Sequence, residues 1–384
     1  MKIAVIGLYY ASNLGDAVIC DNVAYLLKKE IPSATIDVID IEGKSEFPKQ
    51  YRTSIRVMIR RKMRLEREYR ETKQNIKDWV YHWNQIDVGS EERQLFYDRL
   101  GENGYDVVVF AGGQLFMDWL SVDICEILKR FEEKNIPVYF NACGAGFAIS
   151  ENIRKLLSTH LQKDHIKMIS SRDDVELIKT RYLENQGQVI KTYDPALWTK
   201  ETYGIENAKE DVLGLGIMYS SHASLWKITR FWVRLIRELD KRQVKWKMFC
   251  NGAKEDYDYG CFVLKLLGKR PEDYICEYAS TPRELVSQIS KFKSIISFRL
   301  HSHIIATALD IPAVAIVWDD KLRFFYRNLK HEERCKTIMD KPGDVLKAWE
   351  LAETQGYDSD LIQKQKEFAK ELLVNAIAGE FKYE

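Results

Sequence analysis

The stretch Ser297-Phe-Arg-Leu-His-Ser-His303, followed by Ile311-Pro-Ala-Val-Ala-Ile-Val-Trp-Asp-Asp-Lys321, sets two cations and an imidazole into one strand–turn–helix–strand pattern. Arginine holds carboxylate and phosphate groups through a planar fork, and lysine does so as a point charge. Histidine, with a reference pKa near ~6.5, moves protons in either direction at neutral pH. The apolar run at 294–298 reads as a buried strand, 303–309 has helical spacing, and 313–318 is strand-like again. In a right-handed β-α-β unit the strands run parallel, so Arg299 and Lys321 emerge at one carboxyl edge. His301 falls at the helix start, where free N–H groups and the helix dipole favour an anion. Arg299, His301 and Lys321 together predict a site for a small, multiply charged anion. Singly, each has a plainer reading: Arg299 paired with an acid such as Asp310, His301 as a cap, Lys321 as a solvated charge. Their convergence on one edge separates the two readings.

Other strand-end loops carry polar residues of a similar kind. Gly7-Leu-Tyr-Tyr-Ala-Ser-Asn13-Leu-Gly15-Asp16 lies between the first strand and its helix. Its glycines let backbone approach a ligand, and Asn13 and Asp16 suit sugar hydroxyls; helix capping is the other use both residue types favour. The loop lacks the G-x-G-x-x-G dinucleotide pattern, and the chain has no Walker A motif. Ala111-Gly-Gly-Gln114-Leu-Phe-Met-Asp118 puts paired glycines after a buried strand and aims Gln114 at the cleft. In Ser170-Ser-Arg172-Asp173, Arg172 either reaches an anion or pairs with Asp173 or Asp174. Asn141-Ala-Cys-Gly144-Ala-Gly146 is a further such strand end, where Cys143 has no paired base and reads as structural.

These loops need regular elements to aim them. The first half alternates strands over 3–6, 36–41, 107–111, 138–142, 168–170 and 189–193 with helices over 16–29, 121–133, 153–161 and one running through Leu177. The second half starts again, with strands over 212–217, 245–250 and 274–276 and helices over 225–240, through Leu267 and over 282–291. Such alternation predicts parallel sheets covered on both faces. The chain is therefore expected to be α/β, with two Rossmann-like domains whose strand ends face each other across a cleft. Asp194-Pro195 and the polar run 199–210 read as the linker, giving domains at 1–200 and 205–340. The charged remainder, 341–384, is expected to form one or two helices that return to the first half.

Residues 44–101 interrupt the pattern. Between Arg52 and Arg70 eight basic residues stand against two acidic ones, and Ile55, Ile59 and Met63, then Ile76, Val80 and Trp83, fall on helical stripes. A basic helical insertion of this type either lies on an anionic membrane through 52–83 or acts as a solvated or partner-binding arm in a homodimer. The 384 residues suit two domains of ~150–200 residues each. Basic and acidic residues nearly cancel, 58 against 57, so the overall charge points to no nucleic acid. Seven scattered cysteines without a C-x-x-C pair, a strand-like start and no apolar run near ~20 residues predict a cytoplasmic protein with reduced thiols, at most peripheral at the inner face of the cell membrane. No metal is expected.

Taken in order, the segment from Gly7 to Asp16 with Ala17-Val-Ile after it, Val109-Phe-Ala-Gly-Gly-Gln114, Ser171-Arg172-Asp173, Asp194-Pro-Ala196, the Arg-Leu-His at 299–301 and the Asp-x-Lys ending at Lys321 resemble the polysaccharide pyruvyl transferase family. The match runs from the first residue to about 325, excluding the basic insertion. It departs at Trp318-Asp319-Asp320, where the family commonly has an aromatic residue and a single Asp before its Lys. The resemblance implies a GT-B-like fold. It also implies transfer of the pyruvyl group of phosphoenolpyruvate onto two hydroxyls of a sugar, in a polysaccharide or lipid-linked oligosaccharide precursor, with a cyclic ketal formed and phosphate released. Phosphoenolpyruvate is then a co-substrate, and no cofactor is implied. On that basis Arg299, His301 and Lys321 are the expected catalytic residues. Arg172, Arg299, Ser302 and Lys321 are the expected phosphoenolpyruvate ligands, and Asn13, Asp16 and Gln114 the expected acceptor ligands. His301 is expected to protonate the methylene carbon or to act on the attacking hydroxyl, while Arg299 and Lys321 stabilise phosphate charge. Two other readings stay open. One is a nucleotide-sugar glycosyltransferase of the same architecture, with Asp319 or Asp320 on the ribose; the other is a non-catalytic, membrane-bound scaffold for glycan assembly.

Overall fold

The computed structural model describes residues 1–48, 89–146, 150–185, 187–206, 209–219 and 225–379. The expected membrane-binding stretch 52–83 lies outside the described residues. Of the 44–101 insertion, the described C-terminal part forms a helix that packs on the first lobe.

In chain order the first lobe contains β1 (Lys2–Gly7), α1 (Leu14–Glu30), β2 (Thr35–Asp40), α2 (Glu91–Glu102), β3 (Val107–Phe110), β4 (Gly113–Phe116), α3 (Asp118–Glu132), β5 (Val138–Phe140), β6 (Cys143–Ala145), α4 (Glu151–Leu161), β7 (Ile166–Ser171), α5 (Val175–Tyr182) and β8 (Ile190–Lys191). A 3₁₀ turn (Pro195–Trp198) and α6 (Thr199–Tyr203) lead to the second lobe. That lobe holds β9 (Glu210–Gly216), α7 (Leu225–Lys241), β10 (Trp246–Phe249), α8 (Lys254–Leu266), α9 (Pro271–Tyr274), α10 (Pro282–Ile289), β11 (Phe292–Ser297), α11 (Leu300–Ala308), β12 (Ala313–Ile316), α12 (Asp320–Asn328) and β13 (Cys335–Lys336). It is followed by α13 (Pro342–Gln355) and α14 (Ser359–Ala378).

Both main sheets are parallel throughout, in the orders β2-β1-β3-β5-β7-β8 and β10-β9-β11-β12-β13; β4 and β6 pair separately. In each sheet the chain reverses its direction of winding once, between β1 and β3 in the first and between β9 and β11 in the second. Loops at such a reversal splay apart and leave a crevice beyond the carboxyl ends of the strands. The segments after β1, β3 and β11 are the polar loops singled out by sequence. The topology therefore aims them at one another.

Why the strands are buried on both faces is plain in β1 and β3, where Ile3, Val5, Val107 and Val109 face a core shared by both lobes and Ala4, Ile6, Val108 and Phe110 face one under α2 and α3. The shared core continues through Ile295, Ile304 and Ile311, so the lobes are joined by apolar packing on one side of the cleft. Polar ties add to it: α14 reaches the segment that joins the lobes through Lys366 with Glu201 (2.6 Å) and through the Lys366 carbonyl, which accepts from the Trp198 indole (3.2 Å).

The expected linker after Asp194 is ordered: Asp194 caps the 3₁₀ turn by accepting from the Ala196 N–H (2.8 Å), Pro195 fits its first position, and Pro195 to Trp198 are buried. Three expectations need correction. The strand expected at 274–276 is a single bridge between Met248 and Ile275, because Pro271 with Glu272 and Asp273 behind it starts a helical turn instead. The helix expected from 303 begins at Leu300, which brings His301 into its first turn. The strand expected to run to 318 ends at Ile316, and Lys321 stands in the first turn of α12 rather than at a strand end.

Candidate active site

The N-termini of α1 and α11 meet across the crevice, one from each lobe. The approach is so close that a Cβ on Gly15 would lie 2.3 Å from His301 Cβ and Nδ1, so only glycine fits there. The paired glycines after β3, Gly112 at φ 119° and Gly113 at φ 86°, take a left-handed turn. It lets Gln114 donate to the Ala145 carbonyl (3.1 Å) and accept from Lys321 Nζ of the other lobe (2.9 Å).

His301 is buried at the centre. Its Nε2 lies 3.2 Å from Arg172 Nη1. A guanidinium only donates, so Nε2 accepts and the ring proton sits on Nδ1, which faces Asp16 Oδ1 at 3.9 Å. Burial, then the charges of Arg172, Lys321 and Arg299, hold its pKa well below the usual imidazole value. Asp16 shows the opposite tendency. Burial pushes its carboxyl up to about 6, against the pull of Arg172, the Asn13 hydrogen bond (2.9 Å), Lys321 and Arg299. The centre thus pairs an imidazole held neutral with a carboxyl inclined to keep its proton, an arrangement that marks acid–base sites.

The expected cations do converge here, but none is bare. Arg172 pairs with Asp194 and lies 3.8 Å from Asp173. Arg299 donates twice to Asp256 Oδ2 (3.1 and 2.7 Å) rather than pairing with Asp310, and Asp256 is itself fixed by the Tyr219 N–H (2.7 Å). Lys321 meets Asp319 at 3.0 Å. Ser302 is the residue the structure removes from the expected set: its hydroxyl is fully buried and donates to Asn251 Oδ1 (2.7 Å). The Asn251 carbonyl in turn accepts from the Leu14 N–H (2.8 Å), so Ser302 braces the lobe contact behind the cleft. The next residue, His303, bonds Tyr326 and the Ser297 carbonyl inside the core.

Sequence reasoning missed Asp194 and Asp256 as partners of Arg172 and Arg299. Asp194 belongs to the Asp-Pro-Ala motif, a signal that was there to use, whereas Asp256 lies in α8 outside any motif. Several buried polar atoms at the cleft have no protein hydrogen-bond partner: Asn13 Oδ1, Arg172 Nε, Asp173 Oδ2 and Asp319 Oδ1. A cavity of about 20 Å³ runs behind them, lined by Arg172, Asp194 and Lys321 on its polar side and by Leu197, Leu300 and Phe325 on its apolar side. Cys143 is buried and its thiol is pushed up by that burial, away from nucleophilic use.

Residues 13–320 match the model of the family described as polysaccharide pyruvyl transferase. The chain belongs to this family. As a polysaccharide pyruvyl transferase family member it is a transferase with a role in polysaccharide pyruvylation. Asn13, Asp16, Gln114, Arg172, Arg299 and His301 fall within the matched span, and Lys321 directly follows it. Among solved structures it resembles UDP-GlcNAc 2-epimerase from Methanocaldococcus jannaschii, with a TM-score of 0.58 and 12% identity over 99% of this chain and 100% of that one. It also resembles UDP-GlcNAc 2-epimerase from Neisseria meningitidis bound to UDP-GlcNAc, with a TM-score of 0.54 and 13% identity over 99% and 100% of the two chains. At these identities the likeness speaks to the fold, which is of the GT-B type as expected. No curated protein sequence matches the chain significantly. No helix among the described residues is long and apolar enough to cross a membrane.

Proposed function

We propose that this family member transfers the pyruvyl group of phosphoenolpyruvate to two hydroxyls of a sugar in a polysaccharide or lipid-linked precursor, with Arg172, Arg299 and Lys321 binding the donor. The observation that carries this reading is the Arg172–His301–Asp16 contact, which joins a cation, a neutral imidazole and a protonatable carboxyl across the two lobes. A donor with a carboxylate beside a phosphate suits Arg172 at one end and Arg299 with Lys321 at the other.

The reaction needs a proton on the donor's methylene carbon. His301 is neutral because it is buried and because three cations surround it. A bound anion offsets those cations, raises the imidazole's affinity for a proton and makes His301, supplied by Asp16, the acid. Protonation leaves an oxocarbenium-like C2. The first sugar hydroxyl adds to C2 and gives up its proton to the His301–Asp16 pair. The C2–O bond to phosphate then breaks with its electron pair going to phosphate, which takes one proton from the His301–Asp16 pair as it leaves. The second hydroxyl adds to C2, returns its proton to that pair, and closes the ketal. Asn13 and Gln114, on the first lobe, orient the acceptor. Desolvated cations stabilise the departing phosphate without reorganising.

The deciding experiment incubates the protein with phosphoenolpyruvate and a panel of synthetic or lipid-linked glycosides, read by mass spectrometry and phosphate release. One pyruvyl ketal per acceptor with an equal amount of phosphate is the expected result. Release of a nucleoside diphosphate from a sugar nucleotide, with no use of phosphoenolpyruvate, overturns the proposal in favour of glycosyl transfer.

A further inference from the structure

The outer face of α7 carries charge that the cleft does not use. Lys227, Arg230, Arg234, Arg237 and Lys241 are all exposed and recur at alternating intervals of three and four residues. At 3.6 residues per turn, that spacing confines them to a sector of about 80° along about 21 Å of helix. Trp226, 71% exposed, stands at the edge of the same sector at the N-terminal end. The opposite face is core, with Ile228, Phe231, Trp232, Leu235, Ile236 and Leu239 buried.

None of the five cations makes an ion pair among the described residues. The one acid lining the shallow groove beside them, Glu238, is held by Arg242, which also bonds Glu350. Like charges three and four residues apart destabilise a helix. The row therefore works against the helix, and within the groove only Glu238 stands against it. Nor does it reflect a generally basic protein, since 58 basic residues stand against 57 acidic ones.

We infer that this face of α7 docks on the anionic headgroups of a lipid membrane, with Trp226 seated at the headgroup boundary. A straight row of cations with an indole at one end matches a charged plane. Single-stranded nucleic acid would call for aromatic platforms along the row, and among the described residues of α7 Trp226 is the sole exposed one. Because α7 follows β9, its N-terminus lies at the sheet edge that also carries Arg299 and His301. Docking through α7 thus brings the rim of the cleft to the membrane surface, whatever chemistry the cleft performs.

The test is co-sedimentation of the full chain with phosphatidylcholine vesicles containing about one-third phosphatidylglycerol. The protein is expected to bind these, to ignore pure phosphatidylcholine, and to be released near 1 M salt, where the screening length is about 3 Å. The variant Arg230→Glu/Arg234→Glu/Arg237→Glu is expected to weaken partitioning at least about a hundredfold, from about fivefold per cation lost. The milder Lys227→Gln/Lys241→Gln variant should weaken it about 25-fold on the same basis, with the unfolding midpoint no lower than the parent's. Absence of binding to the anionic vesicles overturns the inference, and so does binding that survives both variants. Retention of single-stranded RNA by the row in place of vesicles also overturns it.

Discussion

Replacing Asp16 with asparagine tests the acid–base centre through two independent readouts. In the folded protein the Asp16 carboxyl is pushed up from 3.8 to about 6, chiefly by burial. Between those two values the folded chain binds a proton that the unfolded chain does not, so stability falls as pH rises through the window, and the full cost is present above it. At 1.36 kcal/mol per pH unit that cost is about 3 kcal/mol. Asparagine keeps the shape and an oxygen to accept from Asn13 Nδ2, yet carries no charge. Asp16→Asn is therefore expected to be more stable than the parent by up to about 3 kcal/mol at about pH 8, with the gap narrowing by about 1.4 kcal/mol at about pH 5. Urea unfolding at both pH values, with the denaturant slope held common, reads this difference. Turnover with phosphoenolpyruvate should fall about 100-fold or more over the same substitution. A stability gap that does not change with pH, or a variant with full turnover, refutes the reasoning.

Four further outcomes follow from the same geometry. His301→Gln is expected to lower turnover about 100-fold or more. Because the folded imidazole resists protonation and the unfolded one does not, this variant should also lose the parent's destabilisation below about pH 6.5, read by urea midpoints. Gly15→Ala should drive a methyl into the imidazole, at a cost of about 1–3 kcal/mol of stability, and depress turnover through a displaced His301; unfolding and a pH–rate profile check it. Ser302→Ala should cost about 1 kcal/mol through its lost bond to Asn251 and leave the KM for phosphoenolpyruvate unchanged, as befits a residue behind the cleft. Donor binding should take up protons near neutral pH, measured by calorimetry in buffers of different ionisation enthalpy.

The alternation of apolar strands and amphipathic helices carried the architecture, because strands buried on both faces, such as β3, read as unbroken apolar runs. Element ends were less legible. Helical spacing was read from His303, with His301 at the helix start, yet α11 already begins at Leu300, because the helix is set by its packing on the shared core rather than by a capping residue; Arg299 at the N-cap position makes no side-chain cap. The site was legible where its residues stand next to glycine or at strand ends: Asn13, Asp16, Gln114, Arg172, Arg299 and His301 all meet at the cleft. Side-chain direction within a helix was not. Ser302 follows His301 directly, and a helical step of about 100° turns it from the cleft into the lobe contact. The partners Asp194 and Asp256 lie 22 and 43 residues from the arginines they hold, and pairing at that distance is fixed by tertiary packing alone.

Those partners change what kind of pocket this is. Read from sequence, Arg299, His301 and Lys321 define a cationic trap; in the fold, Asp16, Asp173, Asp194, Asp256 and Asp319 surround Arg172, Arg299 and Lys321. One buried and two half-buried cations without counter-charges would be costly to fold, and pairing each with a carboxylate offsets part of that cost. The same pairing leaves a site where an anionic donor meets carboxylates as well as cations. Binding then favours whichever groups can shed charge, and burial has already raised the proton affinity of Asp16 and Asp173. On the proposed reaction, the donor's own charge raises it further and loads the site with a proton at the moment a carbon needs one. Asp16, beside His301, is placed to pass it on. The acids that at first sight weaken the donor site are, on this argument, what couples donor binding to the proton transfer that starts the chemistry.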